Sequence, residues 1–181
     1  MKHPLLILIA AIILVAAAGL GFHLRQTHEA TPAVSSDAAQ KLETQTFATL
    51  DGKATSLKEL QGKVLIVNFW ATWCPPCREE MPEFSRMHQE LASKGVQFIG
   101  IAIDTPDNIR NFNQATPVSY PLLIGSYDAL KLTVELGNTA QGLPFTVVLD
   151  RDGKIAHTKL GRLGRTELEQ WLTPLLSGAQ H

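Results

Sequence analysis

Val64–Phe84 reads VLIVNFWATWCPPCREEMPEF, and the order of its parts decides the fold. Val64–Trp70 is an apolar run broken only by Asn68 and introduced by Gly62-Lys63. A run without polar alternation predicts a strand buried on both faces, as in parallel or mixed sheets. From Pro75 to about Ser93 the pattern changes: Met81, Phe84, Met87, His88 and Leu91 recur at helical spacing. Pro75 and Pro76 suit the first turn of that helix, where their missing N–H groups would have no partner anyway. Pro82 removes a backbone bond further in and predicts a kink. A buried strand therefore runs into a helix, with Cys74 and Cys77 at the junction.

Reading outward, Val96–Ile103 (VQFIGIAI) is a second buried strand and Pro106 to Ala115 a polar helix. Thr46–Leu50 before Asp51-Gly52 reads as a short strand and turn, Leu122–Ile124 as a short strand, and Asp128–Leu136 as a helix. Pro144–Leu149 and Ile155–Leu160 flank Asp152-Gly153, a hairpin signal. Thr166–Leu176 closes as an amphipathic helix, with Thr166 as its expected cap and Glu169 completing a capping box. Strand–helix–strand units followed by a hairpin and a terminal helix predict an α/β sandwich with a mixed central sheet over residues 44–181.

Ahead of this domain, Leu5–Phe22 contains no charged residue. Eighteen residues in a helix span roughly 27 Å, close to a hydrocarbon core. Residues 1–25 are expected to be an N-terminal transmembrane helix, favoured over a cleavable signal peptide ending near Ala16-Ala17-Ala18. Either reading exports the rest of the chain, to the periplasmic face or as a soluble periplasmic protein. Residues 26–43, polar and rich in Ala, Thr and Ser, are expected to form a flexible tether.

The 181-residue chain has a formal net charge of −1, and 18% of its residues are charged. A balance so near zero excludes a broad electrostatic footprint for nucleic acid. Two cysteines are too few for a disulfide-built scaffold. As a staple they would close a four-residue loop, for which chain entropy gives only about 2 kcal/mol. A zinc site needs two further ligands, and His28, His88, His157 and His181 show no paired spacing. Redox chemistry fits better. A sulfur at a helix N-terminus faces unpaired N–H donors and the positive end of the dipole, and both favour thiolate. Cys74 is then the expected nucleophile and Cys77, one turn on and on the same face, the resolving thiol. Trp70 alternates with core positions of the strand, whereas Trp73 is expected to lie exposed beside Cys74, placed to touch a partner.

The run VNFWATWCPPCREEMPEF, together with Gly142-Leu143-Pro144-Phe145-Thr146, resembles the membrane-tethered TlpA/ResA-like thiol–disulfide reductases of the thioredoxin-like superfamily. The resemblance covers the chain from about Thr44 onward. It implies a thioredoxin-like three-layer sandwich, a helical insertion between Ile103 and Leu122, and a cis Pro144 beside the cysteines. In that family the neighbourhood of the matching proline binds the partner's backbone, so Leu143 and Pro144 join Trp73, Pro75 and Pro76 as candidate substrate-binding residues. Cytoplasmic thioredoxins carry a buried Asp where this chain has Asn68, and a neutral amide takes no proton from Cys77. Glu80, whose counterpart occupies this position in the ResA-like branch, is the candidate general base, against the alternative of a solvated first turn favoured by the dipole.

These readings converge on an exported protein-disulfide reductase that uses no cofactor and no metal. Its expected substrates are disulfide-bonded exported proteins, such as cytochrome c precursors or copper-centre assembly proteins. Its expected electron donor is a membrane thiol–disulfide protein, since an exported compartment is oxidising. The alternatives are a thiol peroxidase of the peroxiredoxin group, although Ala71-Thr72-Trp73 lacks its Pro-x-x-x-Thr run, and a Cu(I)-carrying metallochaperone.

Overall fold

The computed structural model describes residues 36–177. The expected membrane segment at 1–25 and the first part of the expected tether lie outside them. Among the described residues no helix is long and apolar enough to cross a membrane.

The order of elements is α1 (Ser36–Thr44), β1 (Phe47–Thr49), β2 (Ala54–Thr55), β3 (Val64–Trp70), α2 (Pro75–Leu91), β4 (Val96–Ile103), α3 (Pro106–Ala115), β5 (Leu122–Gly125), α4 (Tyr127–Glu135), β6 (Phe145–Leu149), β7 (Ile155–Leu160) and α5 (Arg165–Ser177). The strands form one mixed sheet in the order β2-β1-β5-β4-β3-β6-β7. β3 pairs with β4 in parallel and with β6 antiparallel. β3 is therefore central, and all seven of its residues are buried. Its alternate residues serve two cores. Val64, Ile66 and Trp70 pack with Met81, Phe84 and Met87 of α2, Ile109 of α3, and Leu168 and Leu172 of α5. Leu65, Val67 and Phe69 pack with Ala129 and Leu132 of α4 on the other side. Two covered faces are what the unalternating run required.

β4 crosses beside β3 through Gly100, which pairs with Asn68. A β-carbon at Gly100 would sit 2.7 Å from Leu122 Cδ2 and 3.1 Å from Trp70 Nε1. The Trp70 indole thus lies over bare backbone on β4, and it meets Phe112 of α3 at 5.0 Å between ring centroids.

Two expectations are corrected. The expected tether does not extend to residue 43, because Ser36–Thr44 is a helix. Ala38, Ala39 and Leu42 form a buried stripe on the second core. Their spacing is helical, and alanine lets a short helix approach the sheet closely, although the polar composition around them resembles a linker. The folded domain therefore includes residues from Ser36 onward, not only 44–181. The second correction concerns α5, which starts at Arg165, so Thr166 lies within it and does not cap it. Glu169 accepts instead from Arg165 Nη1 at 3.0 Å. Arg165 also bonds Glu83 and Glu90 of α2, tying the two helices on the first face together. Helix α2 runs on through Pro82 to Leu91.

Because Leu42 is fully buried, Leu42→Ala should lower the unfolding free energy by about 2–5 kcal/mol. Urea unfolding of the purified protein checks this, and a loss under about 0.5 kcal/mol, as at an exposed position, would restore the linker reading of α1.

Candidate functional site

Topology gathers the site at one edge of the sheet. Parallel β3 and β4 both end there, with Trp70 opposite Ala102. Antiparallel β6 begins there, with Phe145 opposite Phe69. The loop before α2, the loop after β4 and the segment Gly142-Leu143-Pro144 are neighbours for this reason.

Cys74 is the N-cap of α2, in extended backbone conformation, and Cys77 is one turn in. The two are joined in a disulfide with Cα atoms 5.3 Å apart. The Cys77 N–H donates to Cys74 Sγ at 3.3 Å, so that sulfur takes the place of a capping oxygen. The same N–H, with the helix dipole behind it, would stabilise a thiolate on Cys74 after reduction. Cys77 is fully buried while Cys74 keeps 3% of its surface, so Cys74 is the less enclosed of two buried cysteines.

The expected contact residues differ in exposure. Trp73 is 66% exposed, and Pro75 and Pro76 are exposed beside it. Trp70 is fully buried. The Leu143–Pro144 peptide is cis, Leu143 is half-buried, and the Pro144 carbonyl accepts from the Gly161 N–H at 2.8 Å. Leu160 stands half exposed against Gly142. On the other flank, a groove of about 490 Å³ runs along the first turn of α2, lined by Pro75, Arg78, Glu79, Phe112 and Thr116. The helical insertion thus supplies one wall of the surface next to the disulfide.

Below Cys77 lies a polar cluster inside an apolar core. Glu80, three residues on and on the inward face of α2, is 1% exposed, which is incompatible with a solvated first turn. Its Oε1 accepts from Asn68 Nδ2 at 2.8 Å and its Oε2 from the Leu163 N–H at 2.9 Å. Asn68 Nδ2 also donates to Thr146 Oγ1 at 3.1 Å, and the two residues are register partners in β3 and β6. Burial pushes the Glu80 carboxyl up to about 7, with the Leu163 N–H, the Asn68 amide and the Arg162 charge opposing it. A group poised there exchanges protons at neutral pH.

Sequence reasoning recognised Asn68 only as a missing acid and did not see it as a donor to Glu80. Asn68 and Thr146 are the polar residues of β3 and β6, a signal that two buried strands share a polar partner. The Leu163 backbone donor has no sequence signature. Among the described residues, no cluster of three His, Cys, Asp or Glu is placed to hold a metal ion.

The profile of the Redoxin family matches residues 28–172. The thiol-disulfide oxidoreductase ResA of Bacillus thuringiensis is 33% identical over 124 residues, 68% of this chain and 69% of that one. A thiol:disulfide interchange protein of the thioredoxin family from Chlorobium tepidum superposes with a TM-score of 0.66 at 30% identity, covering 73% of this chain and 92% of that one. A thioredoxin-related protein from Neisseria meningitidis serogroup B reaches 0.64 at 39% identity, covering 72% and 98%. With a family profile spanning most of the chain and a ResA relative one-third identical over two thirds of it, the chain belongs to the Redoxin family, in its TlpA/ResA-like branch of protein-disulfide oxidoreductases.

Proposed function

We propose that the enzyme works as a reductase of disulfides in exported proteins, with Cys74 as nucleophile, Cys77 as resolving thiol and Glu80 as the proton acceptor for Cys77. The observation that carries this reading is the order along the start of α2: Cys74 at the N-cap, Cys77 fully buried one turn in, and the buried Glu80 carboxyl three residues further on the same inward face. In the reduced enzyme the Cys74 thiolate attacks one sulfur of a substrate disulfide. A Cys74–substrate bond forms, and the other substrate sulfur leaves as thiolate and takes up a proton. Glu80 then accepts the proton of Cys77, whose thiolate attacks Cys74 Sγ. The mixed disulfide breaks, and the second substrate sulfur leaves as thiolate and takes up a proton. Glu80 returns the proton it accepted to solvent, and the enzyme is left with the closed Cys74–Cys77 bond. Two electrons have passed to the substrate, and a thiol–disulfide partner at the membrane returns them.

Trp73, Pro75, Pro76, Leu143 and Pro144 are the residues that would contact the substrate chain; the exposure of Trp73, Pro75 and Pro76 supports this for the first three. Export rests on the uncharged run Leu5–Phe22, retained as an anchor or removed as a signal. Cytochrome c precursors awaiting haem and copper-centre assembly proteins are the substrate classes in view, both of which need reduced cysteines in an oxidising compartment.

Two experiments test the reading. In cells, Cys77→Ser should accumulate mixed disulfides through Cys74 to exported proteins, and Cys74→Ser should accumulate none. The purified pair should show a reduction potential well below the roughly −120 mV of strong thiol oxidants. A potential near that value, with trapped proteins gaining disulfides, would overturn the reductase direction.

For Glu80, the folded carboxyl titrates near 7 against an ordinary value of 4.5. The folded state therefore holds this proton more tightly than the unfolded chain. The associated stability is complete below about pH 4.5 and is lost as pH rises through 7, on the order of 1 kcal/mol per pH unit in between. Glu80→Gln carries no such titration. With the disulfide closed, so that no thiol contributes, wild type should lose stability relative to Glu80→Gln between pH 5 and 7.5 in denaturant titrations. A pH-independent difference would place the carboxyl back at ordinary acidity. In the reduced enzyme, Glu80→Gln should also shift the thiol titration of the pair; an unchanged curve would remove Glu80 from proton transfer.

A further inference from the structure

Asp104 follows the last residue of β4, and Thr72 lies two residues past the end of β3. Trp70 pairs with Ala102 in parallel register, so the two chains leave the sheet side by side and Thr72 arrives opposite Asp104. The Asp104 carboxylate there collects four donors. Oδ2 accepts from the Thr72 N–H at 3.2 Å and from the Thr72 hydroxyl. Oδ1 accepts from the Thr105 N–H at 2.7 Å and from Asn108 Nδ2 at 2.7 Å. One oxygen is given wholly to the redox loop, the other wholly to the first turn of α3.

Ala71 and Cys74 at its ends are buried in the core, and Cys74 is held further by the disulfide and by the Arg78 N–H on its carbonyl at 3.2 Å, so the span left to be positioned is Thr72-Trp73. Trp73 points into solvent, and within residues 71–74 the backbone bond is Cys74 N–H to the Ala71 carbonyl at 3.2 Å. The place at which the chain delivers Cys74 to the N-terminus of α2 determines whether its sulfur receives the Cys77 N–H. Charge-assisted hydrogen bonds are short and directional, so a carboxylate holding both donors of Thr72 sets the loop's path at its midpoint.

We propose that Asp104 is a positioning residue for disulfide exchange, clamping Thr72 and thereby the Trp73-Cys74 segment to the first turn of the α3 insertion. It touches neither sulfur and acts through Thr72. The inference rests on the chain's activity as a disulfide oxidoreductase and is independent of the direction in which electrons flow.

The test compares four variants of the full chain. Asp104→Asn leaves an amide that cannot accept from four donors. Thr72→Val removes the hydroxyl donor and leaves α3 untouched, Thr72→Ser keeps that donor, and Asn108→Ala removes one of the two α3-side donors while the Thr105 N–H bond remains. The measurements are the second-order rate of the reduced enzyme with an aromatic disulfide reagent, the pH profile of that rate, and the denaturation midpoint. Asp104→Asn should slow exchange about 10-fold and displace the pH profile, a factor that corresponds to one strong hydrogen bond. Thr72→Val should follow in the same direction by about 3-fold, with its bond to the Thr72 N–H retained. Thr72→Ser and Asn108→Ala should stay within about 2-fold of wild type, as expected where no loop donor is lost. Should Asp104→Asn fail to fold, Thr72→Val and Thr72→Ser decide alone. Exchange and pH profiles of Thr72→Val that match wild type, or an Asn108→Ala defect as large as that of Asp104→Asn, would overturn the proposal and leave Asp104 as a cap for α3. Failure of the oxidoreductase assignment is a different result, since wild type itself would then not exchange.

Discussion

Two-sided burial of β3 is the constraint from which the rest follows. A strand with no solvent face must have a hydrogen-bonded neighbour on each edge and a helical layer on each side. Here the edges are parallel β4 and antiparallel β6, and that pairing of opposite directions brings two strand ends and one strand start to a single rim. The cysteine pair, the cis-proline segment and the Asp104 carboxylate are drawn from three distant parts of the chain. None of them has to be steered there by a loop of its own. Helix α2, which must cover one face of β3, presents its N-terminus at the same rim because it starts where β3 stops.

The same burial accounts for the chemistry beneath the disulfide. An acid on the inner face of α2 loses its water, and its charged form is disfavoured. Two neutral donors, the Asn68 amide and the Leu163 N–H, and the more distant Arg162 charge recover part of that loss. A closely paired cation would recover more and leave a permanently charged carboxylate. The partial compensation is what leaves Glu80 near neutrality. Asn68 is thus a moderate partner in a position where an acid would add a second charge to the cluster, and its bond to Thr146 joins the site to β6.

Legibility in the sequence followed how local the determining physics was. β3, β4, α2 and the β6–β7 hairpin were readable because apolar runs, helical spacing and Asp152-Gly153 act within a few residues. The Cys74–Cys77 pair was readable because spacing and flanking prolines place it at a helix start. The exposure of Trp73 and burial of Trp70 followed from their positions relative to the strand's end. Glu80 was open between two fates, since the turn of α2 that carries it could face either solvent or core until α5 and Leu163 closed over it. Helix α1 was hidden by its small, polar composition, because Ala38 and Ala39 look like linker residues unless a sheet face is waiting for them. Asp104 was invisible for another reason: its partner Thr72 is reached through strand register, which no short window of sequence contains.

Gly100 carries a consequence of a different kind. It sits in mid-strand, not at a turn, and the space above it is filled by the Trp70 indole and by Leu122. Trp70 in turn meets Phe112 of the insertion. Residues 70, 100 and 112 therefore share one volume, and a gain of atoms at any of them must be matched by a loss at another. Over evolutionary time these positions are expected to change together or not at all. The contact would fix Phe112, which also lines the groove beside the cysteines, and so confine drift of the insertion to its outward-facing positions while its seat on the sheet stays the same.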